Sequence, residues 1–121
     1  MSQVNLSPGY DGHIQTYRNL SLGTGSNSVK QGETQLFGIL GFNSGSAENY
    51  VKIYNVSGTV DPNVHTPVLT FPIAAASNIG EQFIYGIPLN SGLNVRASTL
   101  IADTASGNPA TNSVVVNLLY V

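Results

Sequence analysis

The sequence predicts an all-β protein: an antiparallel β-sandwich of the jelly-roll kind, with an immunoglobulin-like sandwich as the alternative, preceded by an extended N-terminal arm. No long stretch keeps a helical apolar period; short apolar runs alternate with clusters of Gly, Pro, Asn and Ser, as in packed antiparallel sheets. Residues 113–121 form an almost uncharged β-type run, so the chain is expected to finish inside a strand, with no tail after it. Charged residues make up 8%, against about 25% in a typical soluble domain. An uncharged strand needs a covered edge, and either the arm or a neighbouring subunit could cover it.

The 121 residues suffice for one domain with a single core. Disorder is excluded by a hydrophobic content of 41% with a net charge of −2. The chain has no cysteine, which rules out disulfides and thiolate metal sites. Its first residues lack the basic and apolar segments of a secretory leader, so synthesis in the cytoplasm of the producing cell is expected. The Asn-x-Ser triplets at Asn5, Asn19 and Asn55 are then chance products of an Asn- and Ser-rich chain. Arg18, Lys30, Lys52 and Arg96 are scattered singly, which argues against nucleic acid and against an anionic membrane as partners.

Along the chain, residues 1–34 read as the arm, with room for one or two short strands, and residues 35–121 as the sandwich. The arm holds spaced apolar anchors (Val4, Leu6, Tyr10, Ile14, Tyr17, Leu20, Leu22) among small polar residues. Such an arm can pack on its own domain or reach a neighbour. The run 36–42 is apolar at both parities, with Gly38 and Gly41 permitting close approach. In 49–56, Val51 and Ile53 point one way and Tyr50, Lys52 and Tyr54 the other. The run 67–73 places Leu69, Phe71 and Ile73 on one face, and Pro72 assigns it to an edge or a strand end. Residues 74–78 read as a loop and 81–87 as a strand with Phe83, Tyr85 and Ile87 on one side. The run 93–103 shows the clearest alternation, with Leu93, Val95, Ala97, Thr99 and Ile101 on one face and Asn94, Arg96 and Ser98 on the other. A loop at 104–112 returns the chain to the final strand.

Catalytic and metal-binding patterns are weak. His13 and His65 each have an aspartate near in sequence, Asp11 and Asp61, but lack the further ligands a zinc site needs and lie in turn-like segments. No Gly-x-Ser-x-Gly elbow occurs, and the acidic residues are isolated beside turns, where capping accounts for them. No enzymatic activity, no cofactor and no metal are expected. Tyr50 and Tyr54 flanking Lys52 could form a carbohydrate or protein contact, although packing beneath a loop or the arm is the favoured reading.

Four pieces in order carry a resemblance: Tyr50-Val51-Lys52-Ile53-Tyr54-Asn55, Thr66-Pro67-Val68-Leu69-Thr70, the segment 86–95, and Val114-Val115-Val116-Asn117-Leu118-Leu119-Tyr120. Over residues 48–121 the chain resembles small all-β structural proteins of tailed bacteriophages, most of all capsid decoration (cement) proteins. The resemblance implies a place on the outside of the virion, with the major capsid protein of the phage shell as partner, and a homo-oligomer, a trimer. It transfers no catalytic motif. Leu6, Tyr10, Ile14, Tyr17, Leu20, Leu22, Tyr50 and Tyr54 are the expected contacts to the shell or between subunits. The alternatives are a tail or head-fibre component that binds a receptor or glycan, and a free-standing carbohydrate-binding module.

Overall fold

The computed structural model describes residues 14–121. Eight strands follow one another: β1 (Gln15–Asn19), β2 (Asn27–Gln31), β3 (Thr34–Asn43), β4 (Asn49–Tyr54), β5 (Leu69–Ile73), β6 (Ser77–Leu89), β7 (Gly92–Ser98) and β8 (Val114–Tyr120). No helix occurs among the described residues. The strands form two antiparallel four-stranded sheets, ordered β1-β8-β3-β6 and β2-β7-β4-β5. Every strand therefore pairs with its mirror in chain order: β1 with β8, β2 with β7, β3 with β6, β4 with β5. That is one long hairpin folded over itself, the jelly-roll topology, and it settles the choice against an immunoglobulin-like order.

Alternation fills the space between the sheets. Leu36, Ile39, Val114, Val116 and Leu118 point inward from the first sheet, and Val51, Ile53, Ile73, Leu93, Val95 and Ala97 from the second. Phe71 on β5 and Phe83 on β6 meet with ring centroids 6.4 Å apart, closing one flank of the sandwich. Asn43, fully buried at the end of β3, links the sheets: its Nδ2 donates to Ala47 O and Ile73 O at 2.9 Å, and its Oδ1 accepts from Gly45 N and Asn49 Nδ2.

Several sequence expectations change here. The final strand is no edge: β8 lies between β1 and β3, so its uncharged backbone is paired on both sides. The strand that covers it, β1, comes from the segment expected to be an arm. Residues 15–34 contribute β1 and β2, one to each sheet, so the expected boundary at residue 34 falls inside the sandwich. Residues 1–13, with the remainder of the arm, lie outside the described residues. Pro72 does sit on an edge strand, β5, where its missing N–H breaks no ladder. The run expected to reach residue 103 stops at Ser98; Thr99 and Ile101 are exposed because the chain leaves the sheet there. Tyr85 does not share a face with Phe83 and Ile87. Leu36 pairs with Ile87 but Gly38 pairs with Gln82, so residues 83–86 bulge opposite Phe37 and the alternation breaks.

The two sheets differ in what covers their outer sides. On the second sheet, Lys52, Tyr54, Asn94, Arg96 and Ser98 point outward yet are buried beneath the loops that follow β1 and β7. Arg96 donates to Thr24 O, Tyr54 Oη and Ala105 O, and Lys52 donates to Ala102 O. Asn94 binds Ser26, Asn27 and Gly58. Among the described residues no such loop covers Leu40 and Phe42 on the outer side of the first sheet, and both are exposed.

Candidate functional site

The ladder register lays out that open side in rows. Thr16, Leu119, Gly38 and Gln82 form one row across β1, β8, β3 and β6; Arg18, Asn117, Leu40 and Gly80 form the next; Val115, Phe42 and Asn78 form the third. Paired residues in an antiparallel sheet share a side, so these rows present one surface. Leu40 is 53% exposed and Phe42 44%, in positions where a half-buried sheet would carry polar residues.

Glycines shape the centre of this surface. A Cβ on Gly38 would lie 3.3 Å from Leu119 Cδ1, and one on Gly80 would lie 3.2 Å from Leu40 Cδ2, so each leucine leans over its neighbouring glycine. The result is a groove of about 730 Å³ floored by Gly38, Gly80 and Leu119 and flanked by Ile14 and by the β6 bulge. At the bulge Ile84 and Tyr85 project into solvent, 78% and 92% exposed. Gly86 makes this possible. Its φ of 77° is a left-handed conformation, and the Phe37 ring stands 3.0 Å from where a Cβ would be. Glu81 is the charged residue of the groove lining, and Gln82, Asn78 and Asn117 supply a neutral polar margin. Apolar carbon ringed by amides suits a protein contact.

Of the contacts expected from sequence, Leu6 and Tyr10 lie outside the described residues. Ile14 is half-buried on the groove rim. Tyr17 is half-buried against the core, its hydroxyl accepting Asn19 Nδ2 at 2.9 Å. Leu20 is exposed in the turn after β1. Leu22 is buried in the core, so it is no surface contact: its backbone N–H donates to Val114 O, which draws the segment against β8. Tyr54 is likewise withdrawn from the surface, because its hydroxyl accepts from Arg96 at 2.8 Å and the guanidinium stands 6.0 Å from its ring centroid. Tyr50 is half-buried; its hydroxyl donates to Glu48 Oε1 at 2.6 Å, and that carboxylate holds the phenol pKa above its ordinary value. Lys52 and Tyr54 thus pack under a loop, the reading favoured over a platform, whereas Tyr50 stays half-buried.

His65 Nδ1 accepts the Asp61 backbone N–H at 2.9 Å, and Asp61 Oδ1 accepts from Asn63, so this Asp–His pair organises a turn. His13 lies outside the described residues. Among the described residues no cluster of three or more His, Cys, Asp or Glu could hold a metal ion.

Leu40, Phe42, Ile84 and Tyr85 are not among the contacts expected from sequence. The signal for the first two was present, since a run apolar at both parities needs both faces of its sheet covered. The signal for the last two was hidden by the bulge.

No protein-family model matches this chain, and no curated protein matches it. Among solved structures the chain is similar to one in a structure of infectious bursal disease virus, Gx strain, at 12% identity and a TM-score of 0.28. That alignment covers 99% of this chain and 45% of the other, so this chain spans less than half the length of the viral one. At this TM-score the likeness carries no argument about role.

Proposed function

We propose that the protein is a structural component of a phage particle, a decoration protein that binds the outside of the head and bridges neighbouring major capsid protein subunits, without catalytic activity. The observation that carries this reading is the open apolar side of the first sheet, with Phe42, Leu40 and the projecting Ile84–Tyr85 tip. Exposed apolar area of this kind is costly in water and marks a surface that meets another protein. The jelly roll is one of the architectures used for viral capsid domains, though also for lectins and other folds, so the fold is compatible with the role without dictating it. The ordered resemblance of residues 48–121 to phage structural proteins supplies the partner. Assembly as a trimer follows the same resemblance. It no longer draws on a bare C-terminal edge, because β1 and β3 flank that strand.

One observation favours a second reading, a tail or head-fibre component that binds a glycan. Tyr85 exposes its ring beside Glu81 and Gln82, an aromatic with polar neighbours suited to a sugar.

The test is co-sedimentation with intact heads that lack this protein. Wild-type protein should sediment with the heads, and Phe42→Asp and Tyr85→Asp should each reduce binding at least about tenfold, while Val64→Asp, in the exposed loop after β4, should not. Equal binding by all four proteins would remove this face from the docking role. Saturable binding to a glycan array, abolished by Tyr85→Ala and accompanied by no binding to heads, would establish the second reading instead.

A further inference from the structure

The two sheets end on β1 and β6, and on β2 and β5. Three of these edge strands carry devices that keep a sheet edge from pairing with another chain. β1 has Arg18, β2 has Lys30 beside a register shift, and β5 has Pro72. β6 differs. Its first stretch, Ser77 to Gln82, holds no Lys, Arg or Pro, and it pairs residue for residue with Asn43 back to Gly38, ahead of the bulge at 83–86. Among the described residues no strand pairs with its outer edge. Unpaired N–H and C=O groups along a regular edge are a template for one more strand.

We propose that this edge binds a second copy of the chain, β6 against β6, antiparallel and centred on Gly80. Two like edges paired in this way are related by a two-fold axis perpendicular to the sheet, so paired residues lie on the same side of it. Because sides alternate along a strand, the axis must stand at a residue rather than between two neighbours. A centre on Glu81 would set two carboxylates directly opposite each other, and a centre on Ile79 would shorten the pairing to residues 77–81. Centred on Gly80, Asn78 of each copy faces Gln82 of the other, amide to amide, and Glu81 faces Ile79 instead of its own copy. A net charge of −2 leaves little repulsion between copies. The two four-stranded sheets become one, and the open apolar sides with Leu40 and Phe42 face the same way. The contact does not depend on what that side binds. Being two-fold, it is separate from the three-fold assembly of the decoration reading, where it joins one trimer to the next.

The absence of cysteine makes the test direct. Asn78 and Gln82 are exposed, so cysteines there leave the core untouched. Along one strand the two positions stand roughly 13 Å apart, too far for a disulfide within a chain, whereas across the axis they are directly opposite. Under mild oxidation the full-length Asn78→Cys/Gln82→Cys chain should form a covalent dimer on a denaturing gel, with the 78-to-82 linkage identified by mass spectrometry. Neither single variant should do so. No dimer, or equal yields from the single variants, overturns the proposal. A second measurement needs no cysteine. Asn78→Lys/Gln82→Lys sets like charges opposite each other and should weaken self-association at least about tenfold in sedimentation velocity, whereas Asn78→Lys/Gln82→Glu sets opposite charges together and should retain it. Equal behaviour of the two overturns the proposal as well. Head binding is scored separately: binding by a chain that forms no 78-to-82 linkage defeats this proposal alone, and a linked dimer that does not bind heads defeats the decoration reading alone.

Discussion

Lys52 and Arg96 face each other across β4 and β7, and both are buried on the outer side of their sheet. A chain with only four Lys and Arg in total thus places two of them under its own loops. Their donors are taken up by oxygens: Ala102 O for Lys52, and Thr24 O, Tyr54 Oη and Ala105 O for Arg96. The pair works as a clamp that fastens the strap after β7 and the loop after β1 to the second sheet. A planar guanidinium reaches three separated acceptors from three different nitrogens, whereas the three donors of an ammonium all radiate from one nitrogen.

Arg96→Met should therefore destabilise the fold by about 3 kcal/mol, because it strands three buried acceptors. Arg96→Lys should recover only part of that loss. Denaturant midpoints measure both, and a change in either variant below about 0.5 kcal/mol would show that the clamp carries no stability.

Lys52 predicts a pH dependence. Burial chiefly, and the Arg96 charge secondarily, lower its pKa, against an opposing effect of Asp103. The folded chain then releases this proton at lower pH than the unfolded chain does. Between the lowered value and the ordinary lysine value the unfolded state holds more protons, so this group makes stability rise with pH across that window. Lys52→Met should flatten that alkaline rise while leaving stability near neutral pH within about 1 kcal/mol, since an isosteric apolar chain avoids the cost of burying a charge. Unfolding curves from about pH 7 to about pH 10 test the slope.

Gly86→Ala should cost about 1–3 kcal/mol, because the new methyl group would meet the Phe37 ring at a backbone φ of 77° that L-residues rarely adopt. Relief requires the β6 bulge to move, so head binding should fall further than stability alone explains. Comparing thermal melting with co-sedimentation separates the two effects.

Truncations should divide at Ile14. Deleting residues 1–13 should leave the eight-stranded fold intact, since every described strand remains. Deleting residues 1–19 also removes β1 and bares the β8 edge, with a loss of more than about 2 kcal/mol and aggregation visible in light scattering. A monodisperse, equally stable protein lacking residues 1–19 would show that β1 is dispensable.

Asn43→Ala should cost about 2–3 kcal/mol, because it removes donors to a loop carbonyl (Ala47) and a strand-end carbonyl (Ile73) and an acceptor for Gly45 and Asn49 at a fully buried position. Asn43 stands on β3 of the first sheet and bonds Asn49 and Ile73 of the second, so the loss should appear as lower global stability in denaturant titration rather than as local fraying.

Local chemistry in the sequence determined the class and much of the core. Period-two alternation in β4 and in the first part of the 93–103 run set Val51 with Ile53, and Leu93 with Val95 and Ala97, on the faces that prove to be buried, and Pro72 marked an edge or a strand end, because strand periodicity and a missing N–H are properties of the residues themselves. Which strands neighbour each other is a long-range matter, and no local pattern encodes it. Only the tertiary structure placed β8 between β1 and β3, turned the supposed arm into β1 and β2, and folded loops over Lys52, Tyr54 and Arg96 while leaving Leu40 and Phe42 open. A polar strand face reads the same whether water or a loop carbonyl satisfies it, and an apolar one reads the same whether covered or bare. The candidate docking face therefore emerged from the register of four strands and one bulge, not from any motif.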